Sequence, residues 1–271
     1  MPNFSILTPV RNSEDFILGC LKSVAQQGVE VEHLIQDANS TDKTSYIIEE
    51  FSRSNIHVKS KTENDAGQSD ALNKLLDRAT GKYIGWLNSD ETYLSKTLLQ
   101  VEKVFEKTGA DIVYGDCFFV DSNRSLIRLY SNHRYSESIL RNLGCFIPSC
   151  ATFIRVEALR KFQFDVRLKR CMDWDLYLTL NEVSFKYLKK PLSTFAVHSN
   201  QITNSPEKYE SQEFELLQKK HSLQRNPSIT KPQIRYKALR IFLKLLNGNY
   251  FKEIYFYIQA RNKGKDFYRG S

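Results

Sequence analysis

The sequence predicts an α/β fold: a central sheet that begins parallel and turns mixed, flanked by helices and followed by a basic helical tail. Near-continuous apolar or β-branched runs at 4–10, 31–35, 56–58 and 83–87 each precede a polar, helix-compatible segment. That alternation belongs to a parallel sheet covered on both faces. After Tyr93 the alternation gives way to a helix and a hairpin, and from Glu207 onward strand signals fade into basic amphipathic stretches.

The first run, FSILTPV, leads into a segment that sets Phe16, Ile17, Cys20, Leu21 and Val24 on one helical face. Tyr46, Ile47, Ile48 and Phe51 mark a second helix behind a Ser40-Thr41 cap, and Ala71, Leu72, Leu75 and Leu76 a third. Beyond Tyr93 the pattern predicts a helix over 98–105, a strand over 112–114 and a hairpin with arms at 117–120 and 126–130. Ligands of such sheets bind beyond the carboxyl ends of the strands. The residues that follow each run are therefore the first candidates for chemistry.

With 271 residues, 41% of them hydrophobic and 12% aromatic, the chain can bury a large core without disulfides. Its five cysteines are scattered singly and odd in number, as suits a reducing, cytoplasmic setting. The opening MPNFSILTPVRN reads as a strand, not a signal peptide, and no apolar run reaches the roughly eighteen residues of a membrane span. A net charge of +8, concentrated after Lys219, calls for an anionic partner: nucleic acid, anionic lipid or a phosphorylated substrate. No recognisable RNA-binding signature organises the basic and aromatic residues, which argues against nucleic acid.

Three clusters can carry chemistry. IGWLNSDE, at 84–91, runs a strand straight into oxygen-bearing side chains. These suit a hard divalent cation such as Mg²⁺ or Mn²⁺, or else form a turn and cap the next helix. LIQDANSTDKT, at 34–44, sets Asp37 where a strand stops, as a base or ribose contact or as another turn. NDAGQSDALNK, at 64–74, leads polar residues into an amphipathic helix, as a sugar or phosphate lining or as a solvated helix start.

Together the three clusters resemble glycosyltransferase family 2, whose members share the nucleotide-diphospho-sugar transferase (GT-A) fold. SILTPVRN resembles the family's opening strand, DANSTDKT its nucleotide loop, and LNSDE its DxD-type metal motif. DAGQSDALNKLLDRATGKYIGWLNSDETY is similar to bacterial members that assemble surface polysaccharides, and the resemblance covers about the first two hundred residues. It implies a donor-nucleotide site across Thr8, Pro9, Arg11, Asp37 and Asn39, with Asp65, Gly67, Gln68, Asp70, Asn73, Asn88 and Ser89 completing the donor side. It also implies a divalent cation, Mg²⁺ or Mn²⁺, on Asp90 with His198 as a second ligand. The family's second loop Asp is Ala38, its loop Gly is Asn39, and its first metal-motif acid is Asn88.

RCMDWDLYLTL, at 170–180, resembles the family's EDxDLWLR segment and implies Asp173 as general base, with Met172 in place of the usual Glu. The alternative for Asp173 and Asp175 is helix capping. Glu91, Pro148, Ser149, Trp174 and Asp175 fall on the acceptor side, Asp175 as support. The implied reaction is inverting transfer of a sugar from a nucleotide diphosphate, UDP by resemblance, to a hydroxyl of a saccharide or lipid-linked saccharide. The base takes the acceptor's proton. A sugar nucleotidyltransferase is the rival, but TPVRNSED lacks a glycine-rich phosphate loop. A degenerate nucleotide-sugar-binding protein is the second alternative, raised by Asn88 and Met172.

The expected organisation is a catalytic domain over 1–205, with a nucleotide half to about 92 and an acceptor half from about 93, then a helical extension over 206–271. Apolar stripes through Tyr236, Leu239, Phe242, Leu243, Tyr250, Ile254 and Tyr257 alternate with lysines and arginines. They are expected to pack on the catalytic domain or on a second subunit in a homodimer. The other reading lays them on an anionic membrane, peripherally at its inner face.

Overall fold

The computed structural model describes residues 2–198, 210–223 and 231–263. Four strands, β1 (Phe4–Val10), β2 (Val31–Asp37), β3 (Val58–Thr62) and β4 (Tyr83–Trp86), form a parallel half-sheet in the order β3-β2-β1-β4. The helices between them are α1 (Ile17–Ala25), α2 (Thr44–Arg53) and α3 (Gln68–Arg78). Alternate residues of β1 serve opposite faces: Phe4 and Ile6 join the core under α1 and α2, and Leu7 joins the core under α3.

The first helix buries Ile17, Cys20, Leu21 and Val24, the face expected of it. The second departs from expectation. It starts at Thr44, not behind Ser40-Thr41, and its buried residues are Thr44 and Ile48, while Tyr46 is 63% exposed. Ser40 and Thr41 bond instead to Asp37 and Asn12 in the preceding loops. The third strand also lies later than expected, and Ile56 is exposed. As an edge strand, β3 turns Lys59 and Lys61 to water, which discourages pairing with another chain and erases the apolar signal.

Past the short β5 (Thr92–Tyr93) and α4 (Thr97–Thr108), the segment 112–114 and the first hairpin arm fuse into one nine-residue strand, β6 (Ile112–Val120). Its first part pairs antiparallel with β8 (Thr152–Arg155) and its later part with β7 (Leu126–Tyr130). Along its other edge β9 (Phe185–Ala196) runs parallel. Because β8 joins β4 antiparallel, the sheet is mixed from this point on, as predicted. Gly115 sits where register with β9 shifts, and a Cβ there would stand 2.6 Å from Leu192 Cδ1.

The remaining helices are α5 (Glu137–Leu143), α6 (Val156–Leu159), α7 (Met172–Thr179), α8 (Glu210–His221), α9 (Lys231–Leu246) and α10 (Asn249–Lys263). The boundary expected at 205/206 and the end of the basic tail lie outside the described residues. Beyond it, α8 buries Glu213 and Leu217 against the α7 side of the core. The apolar stripes of α9 and α10 largely face away from the sheet: Leu239, Phe242, Ile254 and Tyr257 are exposed. Tyr250 is half-buried, and Leu243 is the stripe residue that meets the core. No helix among the described residues is long and apolar enough to cross a membrane.

Candidate active site

A cleft of about 830 Å³ opens at the carboxyl ends of β1 and β4. Strand order reverses at β1, where ligand crevices form in sheets of this kind. One wall is the 9–16 loop. Asn12 turns it through a positive φ of 48°, and Asn12 Oδ1 accepts the Thr41 N–H at 2.8 Å while Ser40 Oγ accepts the Asn12 N–H at 2.9 Å. Asp37, 1% exposed, gives its carboxylate to the facing loop and the start of α2: Oδ1 accepts from Ser40 N–H and Oγ–H, and Oδ2 from Ser45 Oγ–H. Pro9, Arg11, Ala38, Asp65, Gly67, Gln68, Asn88, Ser89, Asp90, Ser149, Asp173 and His198 all line the cleft.

Several expected contacts lie outside that lining. Thr8 is fully buried, donating to Leu87 O at 2.7 Å and bonded to His33 Nε2 at 2.9 Å. Asn39 is exposed beside the cleft in a left-handed conformation, φ 52°, and donates to Asn64 Oδ1 at 2.6 Å. Asn tolerates that region better than other non-glycine residues, so it can stand where the family has Gly. Asp70 accepts from Ala66 N–H ahead of α3. Asn73 brackets Phe164, donating to its carbonyl and accepting its N–H. Glu91 is buried, with Oε2 accepting the Asn88 N–H at 2.8 Å, and burial pushes its carboxyl well above the usual carboxylate range.

Asn88 is oriented by its neighbours. An indole N–H only donates. The Asn88 atom 2.8 Å from Trp86 Nε1 is therefore the carbonyl oxygen, and Gln68 Nε2 donates to the same atom at 2.6 Å. With both lone pairs engaged, Asn88 presents its amide N–H₂ to a ligand. It enters the cleft as a donor, not as a cation ligand.

Asp90 and His198 come together from the ends of β4 and β9, with Asp90 Oδ2 3.0 Å from His198 Nε2. Phe16 stacks on the His198 ring at 4.8 Å between centroids. Among the described residues no group of three or more His, Cys, Asp or Glu forms a metal cage. A carboxylate and an imidazole in the wall of an open cleft still fit a cation that takes its other ligands from phosphate and water, as Mg²⁺ commonly does.

Asp173, in the first turn of α7, faces the cleft from the opposite side. Burial pushes its carboxyl up to about 6, partly offset by the Trp174 N–H that Oδ1 accepts at 2.7 Å. Its neighbours in sequence point elsewhere. Trp174 donates its indole N–H to Leu140 O at 2.9 Å, and Asp175 pairs with Lys220 at 2.7 Å and His221 at 2.6 Å on α8. Asp175 thus supports α7, and neither residue lines the cleft. Pro148 begins a short 3₁₀ turn, Ser149–Ala151, that brings Ser149 into the wall.

Sequence reading missed three contributors. Lys169 and Arg170 line the cleft immediately before α7, and Lys169 Nζ donates to Ala66 O at 2.6 Å, closing the gap between the two halves. A basic pair directly ahead of the Asp173 helix was a legible signal. Glu213, 2% exposed, accepts the backbone N–H groups of Lys169, Arg170 and Cys171 at 2.8, 3.0 and 3.0 Å. That contact joins residues more than forty apart and leaves no local mark.

The profile of "Glycosyl transferase family 2" matches residues 5–162. The chain belongs to that family. It is 27% identical over 179 residues to the minor teichoic acid biosynthesis protein GgaB of Bacillus subtilis, covering 62% of this chain but 20% of GgaB. It is 34% identical over 181 residues to a PGL/p-HBAD biosynthesis glycosyltransferase of Mycobacterium bovis, covering 61% of this chain and 69% of that one. Among solved structures, S. aureus TarS 1-349 in complex with UDP-GlcNAc superposes with a TM-score of 0.62 at 22% identity, over 74% of this family 2 chain and 60% of the TarS chain. Mannosyltransferase PcManGT from Pyrobaculum calidifontis, in complex with GDP-Man and Mn²⁺, gives 0.58 at 15% identity over 96% of this chain and 76% of that one. The fold is that of the GT-A glycosyltransferases.

Proposed function

We propose that this family 2 chain is an inverting glycosyltransferase. It takes a hexosyl or N-acetylhexosaminyl group from a nucleotide-diphosphate sugar, UDP-linked by preference, and transfers it to an acceptor hydroxyl in surface-polysaccharide or glycolipid assembly. The observation that carries the reading is the pairing, across one cleft, of the Asp90–His198 couple with Asp173. One inverting displacement needs charge compensation at the leaving diphosphate on one side and a base for the incoming hydroxyl on the other. Lys169, Arg170 and Arg11 add cationic side chains on the walls where phosphate would lie.

Asp90 and His198 would hold a divalent cation, which supplies Lewis-acid stabilisation of the departing diphosphate. The residues themselves do the rest. The Asn88 amide donates to donor oxygens, the 9–16 loop walls the nucleotide, and Asp173 holds the acceptor proton as the new bond forms. The acceptor is a saccharide, free or lipid-linked, met on the cytoplasmic side with the enzyme peripheral at the inner face of the membrane.

A screen of UDP-, GDP- and dTDP-sugars with Mg²⁺ or Mn²⁺, scored by released nucleotide, tests the reading. One donor should stand out, and its turnover should fall at least about a hundredfold in Asp90→Ala and in Asp173→Ala. Turnover near the wild-type rate in both variants, or equal background hydrolysis of every donor, overturns it.

A further inference from the structure

The two C-terminal helices are amphipathic the wrong way round for a surface helix. A helix packed on a domain normally turns its apolar face inward. Here Arg240, Lys252 and Glu253 face the domain, Lys244 turns in toward Glu253, and the large apolar residues face out. Side chains of Lys244 and Lys252 are 17% and 19% exposed, whereas Leu246, Phe251 and Tyr257 are 65%, 78% and 69% exposed. Of the seventeen exposed large hydrophobic residues among those described, eleven lie on α9 and α10.

The inner contacts fix this orientation. Asp116, fully buried in β6, pairs with Lys252 at 2.6 Å and also accepts the Tyr187 hydroxyl. Ser131 donates to Glu253, Asn249 donates to the carbonyl of Asn132, and Phe256 packs edge-on against Phe118 at 5.1 Å. A buried carboxylate left without its cation is strongly unfavourable, so α10 is held with Lys252 inward and the apolar side outward. Contiguous apolar surface on this scale marks an interaction site.

Charge decides between occupants. Residues 231–263 carry eight lysines and arginines against one acid, Glu253, which is turned inward. Arg235, Lys237 and Arg261 are exposed around the apolar face. A second copy would set cations against cations, whereas an anionic bilayer answers both the charge and the apolar area. Tyr255 and Tyr257 suit the headgroup level, where an apolar ring body and a polar tip are both accommodated.

We propose that the α9–α10 hairpin docks on anionic phospholipid, with Phe242, Leu245, Phe251 and Ile254 entering the interface and Arg235, Lys237 and Arg261 on the headgroups. The hairpin meets the catalytic domain at the end of β9: Ala196 joins the cluster that packs on Phe256, and the adjacent Phe195 lines the cleft. Docking therefore holds the cleft near the lipid surface. Only that last consequence rests on the transferase reading.

Sedimentation of the full chain with vesicles of phosphatidylcholine, with and without phosphatidylglycerol, tests the contact without any sugar donor. Binding is expected with phosphatidylglycerol and is expected to weaken with added salt. Phe251→Ser should lower the partition coefficient roughly tenfold, the scale of one large apolar side chain, and Arg261→Glu at least about fivefold. Both sites are exposed, so unchanged thermal melting should accompany both losses. No vesicle binding, or equal binding to both vesicle types, overturns the proposal. So does a dimer in light scattering that Phe251→Ser converts to monomer, since the face would then belong to a second copy. Vesicle binding without any sugar transfer would leave the docking surface standing and sink the transferase reading alone.

Discussion

The two halves of the cleft are held together by different means. On the proposed donor side the motif loops hold one another. Asp37 pins Ser40, Asn12 receives Thr41, and Ser13 meets Ser89 at 2.8 Å, all between segments that are themselves the motifs. On the proposed acceptor side Asp173 rides on a helix whose supports come from α8: Glu213 at its amino end and Lys220 and His221 on Asp175. The proposed donor site is thus specified locally, and the proposed base site by tertiary packing. Substitutions on the two sides should accordingly separate, the donor side changing nucleotide and metal affinity and the acceptor side changing turnover.

Asp173→Asn has the largest expected effect. Losing a positioned general base costs roughly a thousandfold in kcat, with donor affinity by calorimetry unchanged. Because burial raises the Asp173 carboxyl to about 6 from an unfolded value of 3.8, the folded protein holds this proton more tightly than the unfolded chain. The ionised base is present above about pH 6, so kcat should fall tenfold per pH unit below it. Ionisation in the folded state costs stability above that pH and nothing below the unfolded value. Asp173→Asn should therefore raise Tm at pH 7 and leave it unchanged near pH 3. A variant that lost donor binding as well would break the contrast between the halves.

Asp90→Ala should come next, with roughly a hundredfold loss of kcat/KM, the scale of a few kcal/mol of charge stabilisation at a leaving phosphate. Mn²⁺ binding, followed by electron paramagnetic resonance with UDP present, should weaken in parallel. Intact Mn²⁺ binding with lost turnover would move Asp90 from the cation to the sugar.

The third effect is smaller and tests the long-range support. Glu213→Gln leaves three backbone N–H groups with one amide in place of a carboxylate, at a cost of about 1–3 kcal/mol for a buried charged acceptor. Tm should drop, and kcat should fall about tenfold, since a shift near 1 Å at a reacting group costs up to about a hundredfold. Donor KM should hold. A rise in donor KM without loss of kcat would show that Glu213 serves Lys169 and Arg170 more than Asp173.

This contrast also explains what the sequence disclosed. The parallel half-sheet, the helix faces of α1 and α3 and the side chains at the strand ends were legible because periodicity and motif order are local. Asp37 and Thr8 were expected to contact the nucleotide, yet their side chains hold the loop and the sheet. A motif reports where a residue sits and not which way it points. The start of α2 was misjudged because Ser40 and Thr41 serve Asp37 and Asn12 across a loop, and β3 because an edge strand of lysines has no apolar signature. The inverted face of α9 and α10 was hidden for a related reason. A stripe of Leu, Phe and Tyr predicts an apolar face, and only the buried Asp116 that claims Lys252 decides that the stripe points outward.

Asn88→Asp probes the donor side most gently. The wild-type amide oxygen is taken by Trp86 and Gln68, which leaves an N–H₂ group for the ligand. A carboxylate would accept the same two donors with one oxygen and offer the other, now charged, to a cation beside Asp90. One extra charge at the rim of a wet cleft amounts to about 1 kcal/mol, so Mn²⁺ affinity should rise roughly fivefold. The N–H₂ group that met the donor would be lost at the same time, and donor KM should rise by a similar factor. Tighter metal with weaker donor is the outcome that follows if Asn88 is a hydrogen-bond donor to the sugar nucleotide. Tighter metal with tighter donor would mean that charge, not the amide, limits this site, and would return position 88 to the cation.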